Sequence, residues 1–103
     1  MKALVLDKYM ELNYRDFPKP EIEPNEVLIK VKACGICGSD VHYYTHGAIG
    51  PFVVKEPMVL GHEVAGVIET LGEGVDTLTI GQLVAVSPSR PCGTCEYCRA
   101  GRP

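Results

Sequence analysis

Apolar residues in this chain come in short bursts, each cut off by glycine or proline before a long helix can form. Lys2 to Asp7 alternates weakly and is rich in β-forming residues, which predicts a strand. Leu12 to Phe17 predicts a second, joined to the first by a turn near Tyr9-Met10-Glu11. Pro18, Pro20 and Pro24 exclude helix interior and central strand, so an extended connector follows and turns at Glu23-Pro24-Asn25-Glu26. Val27 to Ala33 is the clearest strand, with Ile29, Val31 and Ala33 expected on one face and Lys30 and Lys32 on the other. A short helix is expected over Ser39 to Tyr44, with Ser39 or Asp40 offering the N-cap oxygen. Gly47, Gly50, Pro51 and Pro57 predict a loop, Val64 to Leu71 a strand, and Gly72-Glu73-Gly74 a turn. Leu83 to Val86 reads as a short buried strand, and Pro88 and Pro91 stop regular structure after it. Many short strands punctuated by 11 Gly and 8 Pro argue for an all-β barrel or sandwich with one or two short helices.

Bulk properties narrow the function classes. The 103 residues fit one domain, and 46% hydrophobic with 22% charged residues is an ordinary globular composition. A net charge of -3 gives no electrostatic case for nucleic acid or an anionic membrane. No apolar run approaches the roughly 20 residues of a membrane span, and the start is too soon acidic, at Asp7, for a signal peptide. A cytoplasmic location is the default expectation.

Chemistry-bearing residues gather in two places. Cys34-Gly35-Ile36-Cys37-Gly38-Ser39-Asp40-Val41-His42 and Gly61-His62-Glu63-Val64-Ala65-Gly66 set a thiolate, an imidazole and a carboxylate among glycines. Zinc favours such ligands, and a catalytic zinc keeps one position open. The bland reading makes His62 a satisfied core histidine and Gly61 and Gly66 turn or close-packing glycines. Cys92-Gly93-Thr94-Cys95-Glu96-Tyr97-Cys98 spaces three thiols so that the backbone can wrap one tetrahedral ion. Free thiols or a redox pair are the alternatives, although a redox pair normally opens a helix in a βαβ setting. A structural zinc wants four ligands. Gly101-Arg102-Pro103 closes no element, so a fourth cysteine is expected beyond it and the chain reads as a piece of a longer one.

Taken together and in this order, these motifs resemble the zinc-dependent medium-chain alcohol dehydrogenases. His42-Tyr43-Tyr44, Pro57-Met58-Val59-Leu60-Gly61-His62-Glu63 and Pro88-Ser89-Arg90-Pro91-Cys92 resemble most the polyol branch of sorbitol, xylitol and L-idonate dehydrogenases. The resemblance implies a mainly β, GroES-like, partly open barrel with a cysteine-rich loop, residues 1–103 being the first part of the catalytic domain. The dinucleotide-binding domain would lie beyond Pro103. It also implies two zinc ions, one catalytic and one structural, and NAD or NADP in the full-length protein. Cys37 and His62 would be catalytic-zinc ligands and Glu63 a direct or water-mediated neighbour, while Cys92, Cys95 and Cys98 would serve the structural ion. Asp40 would fix His62 through its other ring nitrogen. Ser39 and His42 would relay the substrate proton to solvent, and Tyr43 would shape a polyol pocket. Cys34 has no ligand role in the family and is expected to be a small buried residue. A homo-oligomer, dimer or tetramer, is expected at full length. The competing readings are a zinc-free GroES-like binding or chaperonin-cofactor module, and a zinc-ribbon interaction module using the last three cysteines alone.

Overall fold

The computed structural model describes residues 1–102 and arranges them in eight strands and two short helices. In chain order they are β1 (Lys2–Lys8), β2 (Glu11–Asp16), β3 (Val27–Gly35), α1 (Gly38–His46), β4 (Ala48–Ile49), β5 (Phe52–Val53), β6 (Met58–Val59), β7 (Glu63–Leu71), β8 (Leu83–Ala85) and α2 (Glu96–Arg99). Strand order is β2-β1-β6 in one sheet, β3-β7-β8 in a second and β4-β5 in a small hairpin. The mainly β, partly open architecture is the expected one, since the sheets do not close into a barrel.

The hairpin of β1 and β2 forms where the pattern predicts, its turn made by Tyr9 and by Met10 at φ 63°. Arg15 clamps it from the polar side by donating to the Asp7 carboxylate, which Asn13 also contacts at 2.9 Å. The Arg15 hydrogen bond, helped by Asn13, holds the Asp7 carboxyl below its ordinary range. Being the middle strand, β1 carries two consecutive fully buried residues, Val5 and Leu6, which with Ala3 and Ile68 form the core.

The long pairing of β3 with β7 positions the chemistry. It is antiparallel and runs from Val27↔Leu71 to Gly35↔Glu63. Two register shifts interrupt it, one leaving Glu69 without a partner and the other leaving Lys32 without one. Each adds a residue to one strand only and turns the side chains that follow. The simple alternation expected for Ile29, Val31, Ala33 against Lys30, Lys32 is therefore broken. Gly66 faces Val31 here, and a Cβ on it would run into the backbone carbonyl of Lys30 and sit 2.9 Å from Ile29. Backbone cannot step aside as a side chain end can. Gly66→Ala is expected to cost about 1–3 kcal/mol, the range for overpacking. Chemical denaturation checks this, and an unchanged midpoint would show that the two strands can part at no cost.

Three expectations need correction. The predicted loop from Gly47 to Pro57 holds the β4-β5 hairpin, and Met58–Val59 adds a third strand to β1, with pairs Val5↔Val59 and Leu6↔Met58. Two-residue strands leave no periodic signal. The strand at Leu83 is an edge rather than a buried one, with Leu83 itself 74% exposed. Cys34 is exposed as well, on the strand end beside Gly61. Cys34 lines an open apolar cleft of about 870 Å³, with Leu4, Tyr14, Val31 and Ile36 among its walls, whereas Leu83 is exposed because its strand is an edge.

Candidate metal centre

Cys37 follows the end of β3 and His62 precedes the start of β7. Because these strands are antiparallel and Gly35 pairs with Glu63, both residues emerge at the same end of one sheet. The result is a group of three donors: coordinating atoms of Cys37, His62 and Glu63 all lie within 4.8 Å of one another. Gly61 makes the approach possible. Its φ of 109° suits glycine alone, and a Cβ there would be 2.6 Å from the Cys34 sulfur.

Asp40 organises the group from behind. Among the described residues it is the buried polar one, 9% exposed, at the third position of α1. One of its oxygens accepts the Cys37 backbone N–H at 3.1 Å, and the other lies 3.4 Å from Nδ1 of His62. A carboxylate at Nδ1 keeps the proton there and leaves the lone pair on Nε2 free for a metal. One side chain thus orients both donors. The cap residue of α1 is Cys37, in extended backbone, so the N-cap role expected for Ser39 or Asp40 is corrected: Asp40 contributes by reaching back to the cap's N–H. Ser39 is left free of capping, and its hydroxyl sits 3.5 Å from Nε2 of His62.

The structure does not bring His42 or Tyr43 into this group. Tyr43 is half-buried on α1, and His42 is exposed one turn on from Ser39, with its ring stacked on that of His46. Sequence reasoning passes over His46, although His-x3-His spacing on a helix puts two rings one above the other.

The second cysteine group is also assembled. Sulfurs of Cys92, Cys95 and Cys98 lie within 4.8 Å of one another, and Cys92 and Cys98 are 3.8 Å apart. A tetrahedron with Zn–S near 2.3 Å has an edge of about 3.8 Å, so this pair already has the spacing of two ligands on one ion. α2 is capped by Cys95, whose sulfur accepts the Cys98 N–H at 3.4 Å. Backbone N–H groups of Thr94 and Cys95 point at the Cys92 sulfur and lower its pKa from 9.0 to about 6. Since the folded value is the depressed one, the favourable contribution is complete above pH 9.0 and is lost as pH falls through about 6. In protein stripped of metal, alkylation of Cys92 by iodoacetamide should reach half its maximal rate near pH 6. A midpoint near 9.0 would mean the N–H groups do not reach the sulfur in solution.

Thiolate, imidazole and carboxylate at the first group, and three thiolates at the second, are donor sets that fit zinc. Among the described residues no helix is long and apolar enough to cross a membrane.

Known proteins match this arrangement. Sorbitol dehydrogenase of Bacillus subtilis is 52% identical over 102 residues, 99% of this chain and 29% of that protein. D-xylulose reductase A of Aspergillus niger is 50% identical over 101 residues, 97% of this chain and 28% of that protein. Among solved structures, galactitol-1-phosphate dehydrogenase of Escherichia coli superposes with a TM-score of 0.85 at 37% identity, over 97% of this chain and 28% of that one. The chain thus spans less than a third of the length of the curated relatives it matches. The family model for the alcohol dehydrogenase GroES-like domain matches residues 23–103, the stretch that carries β3, β7 and both donor groups. Ordered motifs, shared scaffold and family model agree, and the chain belongs to the alcohol dehydrogenase GroES-like domain family.

Proposed function

We propose that this chain is the zinc-holding part of a polyol dehydrogenase, which oxidises a secondary hydroxyl of a sugar alcohol to a ketone with NAD or NADP as hydride acceptor. The observation that carries the reading is the convergence of Cys37, His62 and Glu63 in front of Asp40, in a chain about half identical to a sorbitol dehydrogenase. A chaperonin-cofactor module offers no reason for that donor group.

Cys37 and His62 would hold the catalytic ion, with Glu63 bound to it or to its water, and Cys92, Cys95 and Cys98 would hold the structural one. Bound at the first site, zinc supplies Lewis-acid stabilisation of an alkoxide. The nicotinamide cofactor, for which residues outside this chain would be responsible, accepts the hydride. What this chain does is position and move a proton. Asp40 holds His62 in the ligating tautomer and Cys37 at its strand end. Ser39, beside the ligating nitrogen, accepts the alcohol proton while passing on its own. His42, three residues further along α1 and exposed, delivers it to solvent through its ring nitrogens, which can both accept and donate. Tyr43 would contribute to the substrate pocket.

Zinc analysis and assay of the full-length protein test the reading together. Sugar alcohols should be oxidised with NAD or NADP, chelation should abolish turnover, and added zinc should restore it. Turnover that survives complete removal of zinc would sink the proposal.

A further inference from the structure

The chain contains three histidines, and the reading above gives no part to the third, His46. His42 and His46 stand four residues apart on α1, so they rise from successive turns on one side of the helix, and both are exposed. Their rings stack with centroids 4.1 Å apart and planes 10° from parallel.

Thr45 determines how the ring of His46 is presented. The Thr45 hydroxyl is 3.0 Å from the Val41 carbonyl and 2.7 Å from Nδ1 of His46. A hydroxyl has one hydrogen. Donated to the Val41 carbonyl, it leaves the oxygen to accept from Nδ1–H, and Nε2 of His46 then carries a free lone pair. A metal-bound imidazole normally has this arrangement, its second nitrogen donating to a fixed oxygen.

We propose that His42 and His46 form a labile site for a divalent ion of the zinc and nickel type on the open face of α1, separate from the cysteine-bearing groups. Two nitrogens on a tetrahedral ion at about 2.0–2.1 Å are about 3.4 Å apart, and each lone pair lies in its ring plane, so the exposed His42 ring must swing out of the stack for both to meet one ion. Two protein ligands leave the other positions to water, and the ion exchanges. The consequence for catalysis rests on the proton path proposed above: an ion on His42 takes the lone pair that would receive the proton, so excess zinc slows turnover while the ion at Cys37 and His62 stays in place.

The test is calorimetric titration of Zn2+ into the full-length protein, its cysteine-bearing sites first saturated with zinc, with His46→Gln and Thr45→Val alongside. The unmodified protein should bind one further ion. In His46→Gln a chelate becomes a single ligand, and the affinity of that step should fall about tenfold or more. Thr45→Val, which frees the ring without removing it, should fall between. His46→Gln should show unchanged basal turnover and lose sensitivity to excess zinc. Equal titrations for unmodified protein and His46→Gln would overturn the site and leave the proton path untouched. A further ion that binds, is lost in His46→Gln, yet leaves turnover unchanged supports the site and removes His42 from the relay.

Discussion

Asp40→Ala is expected to weaken zinc binding at Cys37 and His62 by about 10–100-fold, the usual cost of losing the group behind a metal-bound imidazole. Two losses combine. Without the carboxylate nothing holds the proton on Nδ1 of His62, so the ring is free to turn and to offer the wrong nitrogen. The Cys37 N–H, which donates to the other Asp40 oxygen at 3.1 Å, is also left without its acceptor. An unmet donor of this kind costs about 1–3 kcal/mol of folding stability. Asp40→Asn separates the two: its amide oxygen still accepts from Cys37, so stability should hold while zinc affinity falls. Competition against a chromophoric chelator, beside a denaturation curve, reads both numbers. Wild-type zinc affinity in Asp40→Ala would mean that the strands alone orient His62.

Much of this was visible in the sequence because the chemistry sits at element ends. Cys37 and His62 flank the two strands with the strongest patterns, and glycines mark the places where backbone approaches backbone, as Gly66 does against Lys30. What pattern cannot supply is register. That Gly35 lies opposite Glu63, and so that both donors share one end of the sheet, follows from the pairing that starts at Val27↔Leu71, because the extra residues Glu69 and Lys32, one on each strand, cancel; neither the pairing nor the shifts leave a trace in alternation. The exposure of Cys34 and Leu83 is hidden from the sequence for a related reason. Residue type says what could be buried, whereas burial requires something to lie on top, and here the sheet faces are open. β6 escaped notice because two residues pairing with β1 are too few to show a period. Family resemblance points Asp40 at His62, but its second bond, to the Cys37 N–H, is a product of the cap geometry and has no signature in the sequence.

Ser39→Ala is expected to cut turnover of the full-length enzyme by about 10²-fold or more, the usual contribution of a positioned proton-transfer group. By sequence alone the capping role of Ser39 is favoured over a relay. A lost cap would cost about 1 kcal/mol and leave the chemistry nearly normal. The structure gives the cap to Cys37, with Asp40 reaching back to it, while the Ser39 hydroxyl lies 3.5 Å from Nε2 of His62. Melting temperature and zinc content should therefore hardly change in Ser39→Ala. The loss should fall on kcat, because no other hydroxyl makes a hydrogen bond to His62 among the described residues. Ser39→Thr keeps the hydroxyl at the same backbone position and should recover much of the rate, which a packing or capping defect would not do. Near wild-type turnover in Ser39→Ala would remove Ser39 from the path and leave the zinc site to be argued without it.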